Sequence, residues 1–213
     1  MATAQRPGRR FDAVLCDLDN VIRFYDTTRL AELERTAGLP EGTTTAVAFA
    51  PEVDLPLLLG RITRERWAES VALGLAGRVP WERARELGAA LAGAPFRADE
   101  VVVAMLRRVR AHMPLVLVTN ASLELDDDLA AMGVADLADH VVNSALVGAA
   151  KPDRRMYEIA VGRAGVPARR CLFVDDRPEN VGAAVALGMS GLHYRRPEDL
   201  RAVLDASGVL SDG

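Results

Sequence analysis

A chain of 213 residues that is 50% hydrophobic and 26% charged fits an ordinary globular protein, either one domain with an insertion or two small domains. The net charge of -4 comes without long runs of one sign, and the Arg-rich clusters at 107–110 and 169–170 sit at helix ends or are broken by acids, which argues against a nucleic-acid partner. No stretch of 18 apolar residues and no apolar signal core occurs, so the chain reads as cytoplasmic with no membrane partner.

The first apolar run, AVLC at 13–16, reads as a buried strand that leads into Asp17-Leu18-Asp19-Asn20-Val21. Residues 25–94 then break into helical stretches separated by Gly and Pro (TTRLAELERTAG, EVDLPLLLG, TRERWAESVALGLAG and PWERARELGAALAG), with TAVAF as the one segment that could be a strand. The expectation is a small helical domain inserted after the first strand, with linkers near 22–27 and 93–98. Trp67 and Trp81 are expected to pack within it, Trp67 being the better placed to reach a cleft. Its segment LLGRITRERW offers Arg61, Arg64 and Arg66 either as phosphate partners or as a solvated helix face.

Beyond the insertion, helix-like segments at 98–112, 123–132, 153–164 and 178–188 alternate with the apolar runs LVLVT (115–119), HVVN (140–143), CLFVD (171–175) and GLHY (191–194). Helices alternating with fully apolar strands predict an α/β fold with a doubly wound, Rossmann-like parallel sheet built from 1–24 and 95–213. Cys16 and Cys171 lie inside apolar runs and fit buried thiols in a reducing compartment.

Such a sheet binds ligands in the crevice beyond the carboxyl ends of its strands. The first strand ends in Asp17 and Asp19, the second in Thr119-Asn120 and the fourth in Asp175-Asp176, while Lys151-Pro152 opens the helix after the third. Each group alone is a common turn or cap. Together they put four carboxylates into one crevice, which requires either protonation or cations among them. Lys151 supplies one positive charge. Oxygen ligands with no His or Cys cluster nearby select a hard ion, Mg²⁺. A carboxylate nucleophile, a second carboxylate, a hydroxyl, an ammonium and Mg²⁺ suit phosphoryl transfer through an aspartyl-phosphate. Lys151 is also the only lysine, the other 25 of 26 basic residues being arginine. A compact ammonium can touch a phosphoryl oxygen and a carboxylate at once, where a planar guanidinium needs a different pocket.

In order and spacing, DLDNV, VTNAS, KPDRRMYEIA and VDDRPENV resemble the four motifs of the haloacid dehalogenase-like superfamily, over residues 11 to about 195. The resemblance implies Asp17 as nucleophile and Mg²⁺ ligand, and Asp19 as general acid/base whose backbone carbonyl also touches the metal. It implies Thr119 and the Asn120 amide as phosphoryl binders and Lys151 as the motif lysine. It further implies Asp176 as the direct metal ligand, because Asn180 follows four residues later, and leaves Asp175 to pair with Lys151 or to hold a metal-bound water. The inserted helices resemble the family's cap over the cleft. Asn20 stands where glycine is frequent and Val21 where threonine is, which leaves the subfamily open.

The chain is most similar to small sugar-phosphate phosphatases and to the phosphatase-like domain of epoxide hydrolases. The expected function is therefore a Mg²⁺-dependent phosphatase acting on a small phosphorylated metabolite, a sugar phosphate first. The alternatives are a phosphosugar mutase and a non-catalytic phospho-ligand-binding protein. Haloacid dehalogenases lack the second acid of the first motif, and a phospho-accepting receiver has its acidic pair on the first strand. Arg177 is read as a phosphate-orienting or capping residue, and His112, His140 and His193 as lying away from the motifs. Oligomeric state is not read from the sequence.

Overall fold

A computed structural model describes residues 9–209, so the basic opening stretch at 1–8 and residues 210–213 lie outside the described residues. The first strand is β1 (Ala13–Cys16). Next come β2 (Arg23–Tyr25) and, after five helices, β3 (Phe96–Ala98), which pair antiparallel as a two-stranded ribbon. Then follow β4 (Leu115–Thr119), β5 (His140–Asn143), β6 (Cys171–Asp175) and β7 (Ser190–His193). These four and β1 form one parallel sheet in the order β5-β4-β1-β6-β7. Every residue of β1, β4 and β6 is buried, which is why these strands read as unbroken apolar runs.

Alternation along the strands builds two layers. Val14, Cys16, Leu115, Leu117, Leu172 and Val174 face a cluster shared with α6 (Glu100–Arg110), α7 (Leu125–Ala131) and α11 (Pro197–Ala206). Ala13, Leu15, Val116, Val118 and Phe173 face the opposite cluster with α9 (Arg154–Ala164) and α10 (Pro178–Ala186). α6 shows the logic at residue level. Asp99 accepts hydrogen bonds from the Val101 and Val102 amides as N-cap, and Val102, Met105, Leu106 and Val109, three or four apart, form its buried stripe.

The five helices between β2 and β3 are α1 (Thr28–Thr36), α2 (Thr43–Ala48), α3 (Pro51–Leu58), α4 (Arg64–Gly74) and α5 (Trp81–Ala92), packed around their own core of Leu30, Leu57, Trp67, Val71, Leu75 and Leu87. Three sequence expectations change here. TAVAF is not a strand: it lies mostly in α2, whose first amides are fixed by the buried Glu34 carboxylate accepting from the amides of Gly42 (2.7 Å) and Thr44 (2.6 Å). The stretches read as linkers hold the β2–β3 ribbon, whose three-residue strands are too short to give a period. Trp81 stands 45% exposed at the surface rather than inside the cap.

The cap touches the sheet domain through a tight seam. Gly60, with φ of 68° just after α3, leaves a Cβ position only 2.4 Å from the carbonyl oxygen of Ala145 in α8 (Ser144–Val147). Gly60→Ala therefore combines left-handed strain with a backbone clash and is expected to cost about 1–3 kcal/mol. A lowered urea midpoint with faster proteolysis in the cap is the expected measurement. Among the described residues no helix is long and apolar enough to cross a membrane.

Candidate active site

The crevice beyond the sheet gathers most of the groups that the sequence singled out. Asp17 continues β1 for one residue, its amide donating to the carbonyl of Val174 in β6 at 2.8 Å. The chain then curls, with the amides of Ile22 and Arg23 both donating to the Leu18 carbonyl. Asn20 adopts φ of 58° in this curl, a left-handed conformation that asparagine tolerates better than most residues. That explains how it stands in for glycine, and its amide donates to Asp176 Oδ2 at 3.0 Å.

Lys151 is buried, and its Nζ lies 2.7 Å from Asp17 Oδ1 and 2.7 Å from Asp175 Oδ2. Its backbone is fixed by Asn120, whose side chain accepts from the Lys151 amide and donates to the Lys151 carbonyl. Asp175 is fully buried; both its oxygens accept from the Asn180 amide group, and Oδ1 also accepts from the Arg177 backbone N–H. Asn180 is held in turn through its carbonyl by the Tyr157 hydroxyl at 3.1 Å. The two acids left in order-of-role doubt by the sequence thus differ in surroundings: Asp175 is saturated by Lys151, Asn180 and a backbone amide, and Asp176 is half-buried with Asn20 on one oxygen.

Asp17, Asp175 and Asp176 each offer an oxygen within 4.8 Å of the others. Burial pushes the Asp17 carboxyl up to about 8, against the pull of the Lys151 ammonium. Burial also raises Asp176, with the Asn20 hydrogen bond opposing it. Three carboxylates that share one ammonium, with no nitrogen or sulfur ligand beside them, fit a small divalent cation of the Mg²⁺ kind. At the end of β4, Thr119 Oγ1 is buried with no hydrogen-bond partner among the described residues, a hydroxyl without an occupant for its proton or lone pairs.

Asp19 stands apart from this cluster. Arg23 grips its carboxylate from Nε (2.6 Å) and a terminal nitrogen (3.0 Å). The other end of the buried Arg23 guanidinium reaches Asp128 of α7 at 2.8 Å. Arg64, the first residue of the cap helix α4, contacts both oxygens of Asp128 (2.7 and 3.1 Å) and Ser122 Oγ (3.2 Å). An ion chain Arg64–Asp128–Arg23–Asp19 therefore runs from cap to crevice. Sequence reading missed Arg23 and Asp128. The available signal was an arginine inside the apolar run VIRFY, four residues after Asp19, since a guanidinium buried there needs carboxylate partners.

Other candidates take simpler places. Arg61 is exposed, Arg66 pairs with Glu69, and Arg177 pairs with Glu179. His112 and His140 are exposed strand or helix-edge residues. His193 departs from expectation: it lies beside a motif, its Nε2 3.0 Å from the Asp176 carbonyl oxygen.

Cap and crevice enclose a cleft of about 460 Å³, with Asp19, Asn20, Asn120 and Ser122 on the sheet side and Phe49 and Trp67 on the cap side. Asp54 of α3 also lines it, and burial pushes its carboxyl up to about 6, with the charge of Arg177 opposing. A carboxyl whose folded pKa exceeds its unfolded value near 3.8 favours folding at low pH and loses that contribution as pH rises through about 6. Asp54→Asn is accordingly expected to raise the melting temperature relative to wild type at pH 7.5, and the gain should shrink towards pH 4.

A family model for haloacid dehalogenase-like hydrolases matches residues 11–188. Phosphatase MT3486 of Mycobacterium tuberculosis is 29% identical over 216 residues, covering 94% of this chain and 90% of that protein. Flavin mononucleotide hydrolase 1 of Arabidopsis thaliana is 39% identical over 66 residues, which are 31% of this chain and only 27% of that relative's length. The sesquiterpene phosphatase astK of Aspergillus oryzae is matched over 51% of its length, so the chain spans about half of it or less in both of these relatives. Among solved structures, a Bacteroides thetaiotaomicron enzyme of the same family, crystallised with magnesium and inorganic phosphate, superposes with a TM-score of 0.66 at 18% identity, covering 87% of this chain and 94% of its own.

Proposed function

Because the chain belongs to the haloacid dehalogenase-like hydrolases, we propose that it hydrolyses phosphate monoesters of a small metabolite through an aspartyl-phosphate on Asp17. The observation that carries this reading is Asp17 itself, a buried carboxylate at the carboxyl end of the central strand, locked to Lys151 and flanked by Asp175 and Asp176. The Leu18 amide and the Lys151 ammonium both bind Oδ1, and among the described residues no hydrogen bond falls on Oδ2. Oδ2 is then the atom that attacks phosphorus as the bond to the leaving oxygen breaks.

Asp19 gives the leaving oxygen its proton and later takes one from the water that cleaves the aspartyl-phosphate. To do so it gives up one of its two bonds to Arg23, which stays anchored on Asp128. The free Thr119 hydroxyl and the Asn120 amide hold phosphoryl oxygens, and Lys151 keeps positive charge beside the group in transfer. Asp17, Asp176 and the Asp19 carbonyl would hold Mg²⁺, which would supply positive charge to offset that of the phosphoryl group. Asp175 acts behind them by holding Lys151 in place. The cap excludes water from the cleft.

Preference for a sugar phosphate rests on the resemblance of the sequence motifs alone; the relatives include hydrolases named for a flavin nucleotide and a sesquiterpene. The testing experiment is phosphate release from p-nitrophenyl phosphate and a panel of metabolite esters with Mg²⁺ or with EDTA. Metal-dependent release is expected. A folded, Mg²⁺-binding protein that releases phosphate from none of them would overturn the reading.

A further inference from the structure

The lining of the cleft is richer in aromatic residues than the rest of the chain. Of ten aromatic residues (five Phe, three Tyr and two Trp), five line it: Phe24, Tyr25, Phe49, Trp67 and Phe96. Two of these, Tyr25 at 44% and Phe49 at 59% exposure, show large apolar surface to solvent. Scattered surface aromatics need no explanation, but several around one concavity mark a ligand wall. Phe49 and Trp67 lie together, ring centroids 6.3 Å apart and tilted by 32°. Tyr25 packs edge-on to Phe96 at 5.7 Å, beneath the Arg23 guanidinium.

The cations near the cleft are already engaged. Arg23 binds Asp19 and Asp128, Arg64 binds Asp128 and Ser122, and Lys151 binds Asp17 and Asp175. Asp54, the acid on the cap side, lies in the field of Arg177. A second phosphate or a carboxylate on the substrate would thus find no unpaired guanidinium among the described lining residues. Among the described lining side chains one buried donor is left unpaired. Trp67 Nε1 is buried without a hydrogen-bond partner, a state that costs free energy until an acceptor arrives. A sugar brings the opposite demand, several hydroxyls each needing a partner, to a lining where Phe24, Phe49, Phe96, Leu57, Leu58 and Leu91 offer none beside the hydroxyls of Thr27 and Thr45.

We propose that the leaving group of the substrate is uncharged, mainly apolar and ring-bearing, with one hydrogen-bond acceptor that meets the Trp67 indole N–H. This rests on the hydrolase reading and names the substrate class of that same site. The aromatic wall supplies stacking and apolar contact, and the indole fixes orientation.

The test uses esters of primary alcohols, so that intrinsic leaving-group reactivity is matched: 2-(1-naphthyl)ethyl phosphate and its methoxy derivative against glucose 6-phosphate and glycerol 3-phosphate, all with Mg²⁺. The expected result is a kcat/KM for the naphthyl esters at least about tenfold above either polyol ester. In Phe49→Ala, an exposed position where truncation leaves the fold intact, that ratio should fall about tenfold. Trp67→Phe, which keeps the ring and removes the N–H, should erase any advantage of the methoxy ester over its parent. Equal or better turnover of the polyol esters, or a ratio untouched by Phe49→Ala, would overturn the proposal. The hydrolase reading fails separately: p-nitrophenyl phosphate release that Asp17→Asn abolishes keeps it standing whatever the ratio, and no release from any ester removes both.

Discussion

Lys151→Met is expected to abolish phosphate release and to lower stability by about 3–5 kcal/mol, the range for breaking a buried ion pair from one side. The reason is where its partners sit. Asp17 is 5% exposed and Asp175 is not exposed at all, so removing the ammonium leaves Asp175, and Asp17 once pH rises through about 8, with neither water nor a countercharge. Urea unfolding in EDTA measures the loss, and a change below about 1 kcal/mol would show that the cluster is neutral without the lysine. Lys151→Arg is expected to be nearly as damaging to activity. One small nitrogen touches both carboxylates at 2.7 Å from a side chain that is 1% exposed, and a planar guanidinium neither fits that space nor offers a single atom to both oxygens. This gives a physical reason for one lysine among 25 arginines.

Asp17→Asn pulls activity and stability in opposite directions. Loss of the proposed nucleophile is expected to lower kcat by a factor on the order of 10⁴–10⁶. Stability in the absence of metal should rise at neutral pH. Burial pushes the Asp17 carboxyl from 3.8 up to about 8, so the folded chain binds a proton that the unfolded chain releases, and wild-type stability falls as pH rises through that window. The amide has no such slope. Melting temperatures in EDTA should therefore diverge between pH 5 and pH 8, the variant being the more stable at the upper end; parallel curves would contradict the assignment of that slope to Asp17. The gain belongs to a general pattern in which residues placed for reaction are poorly placed for stability.

The parts of the fold legible from sequence are those whose pattern is local. β1, β4 and β6 announce themselves because a parallel strand buried on both faces needs an apolar residue at every position. The edge strand β7 begins at Ser190, one residue before the run GLHY, because a mostly exposed strand carries no apolar pattern to mark its ends. TAVAF misleads because Thr and Val favour strands, while its helix is started by Glu34, which binds the amides of Gly42 and Thr44 eight and ten residues further on. The strand-end acids could be collected by the crevice rule. Arg23 carried a local signal, its place four residues after Asp19, but the pairing of Asp128 with Arg23 and Arg64 could not be read, since it depends on how β2 and α4 meet α7 and no spacing within one segment encodes that.

The position of β1 also bears on how the molecule comes to exist. β1 pairs through Val14–Leu115 on one side and Ala13–Cys171 on the other, so the middle of the sheet leaves the ribosome well before either of its flanking strands, β4 and β6. The five cap helices have the opposite topology, a contiguous run from Thr28 to Ala92 with a core of its own. Local contacts form fast and distant ones slowly. During synthesis the cap can therefore condense while β1 still waits for its neighbours, and Asp17 gains its ammonium and its fellow carboxylates only after residues 151–176 have been made. A nascent chain would carry a finished lid before it carries any chemistry to cover, and the appearance of phosphate release would time the closing of the sheet.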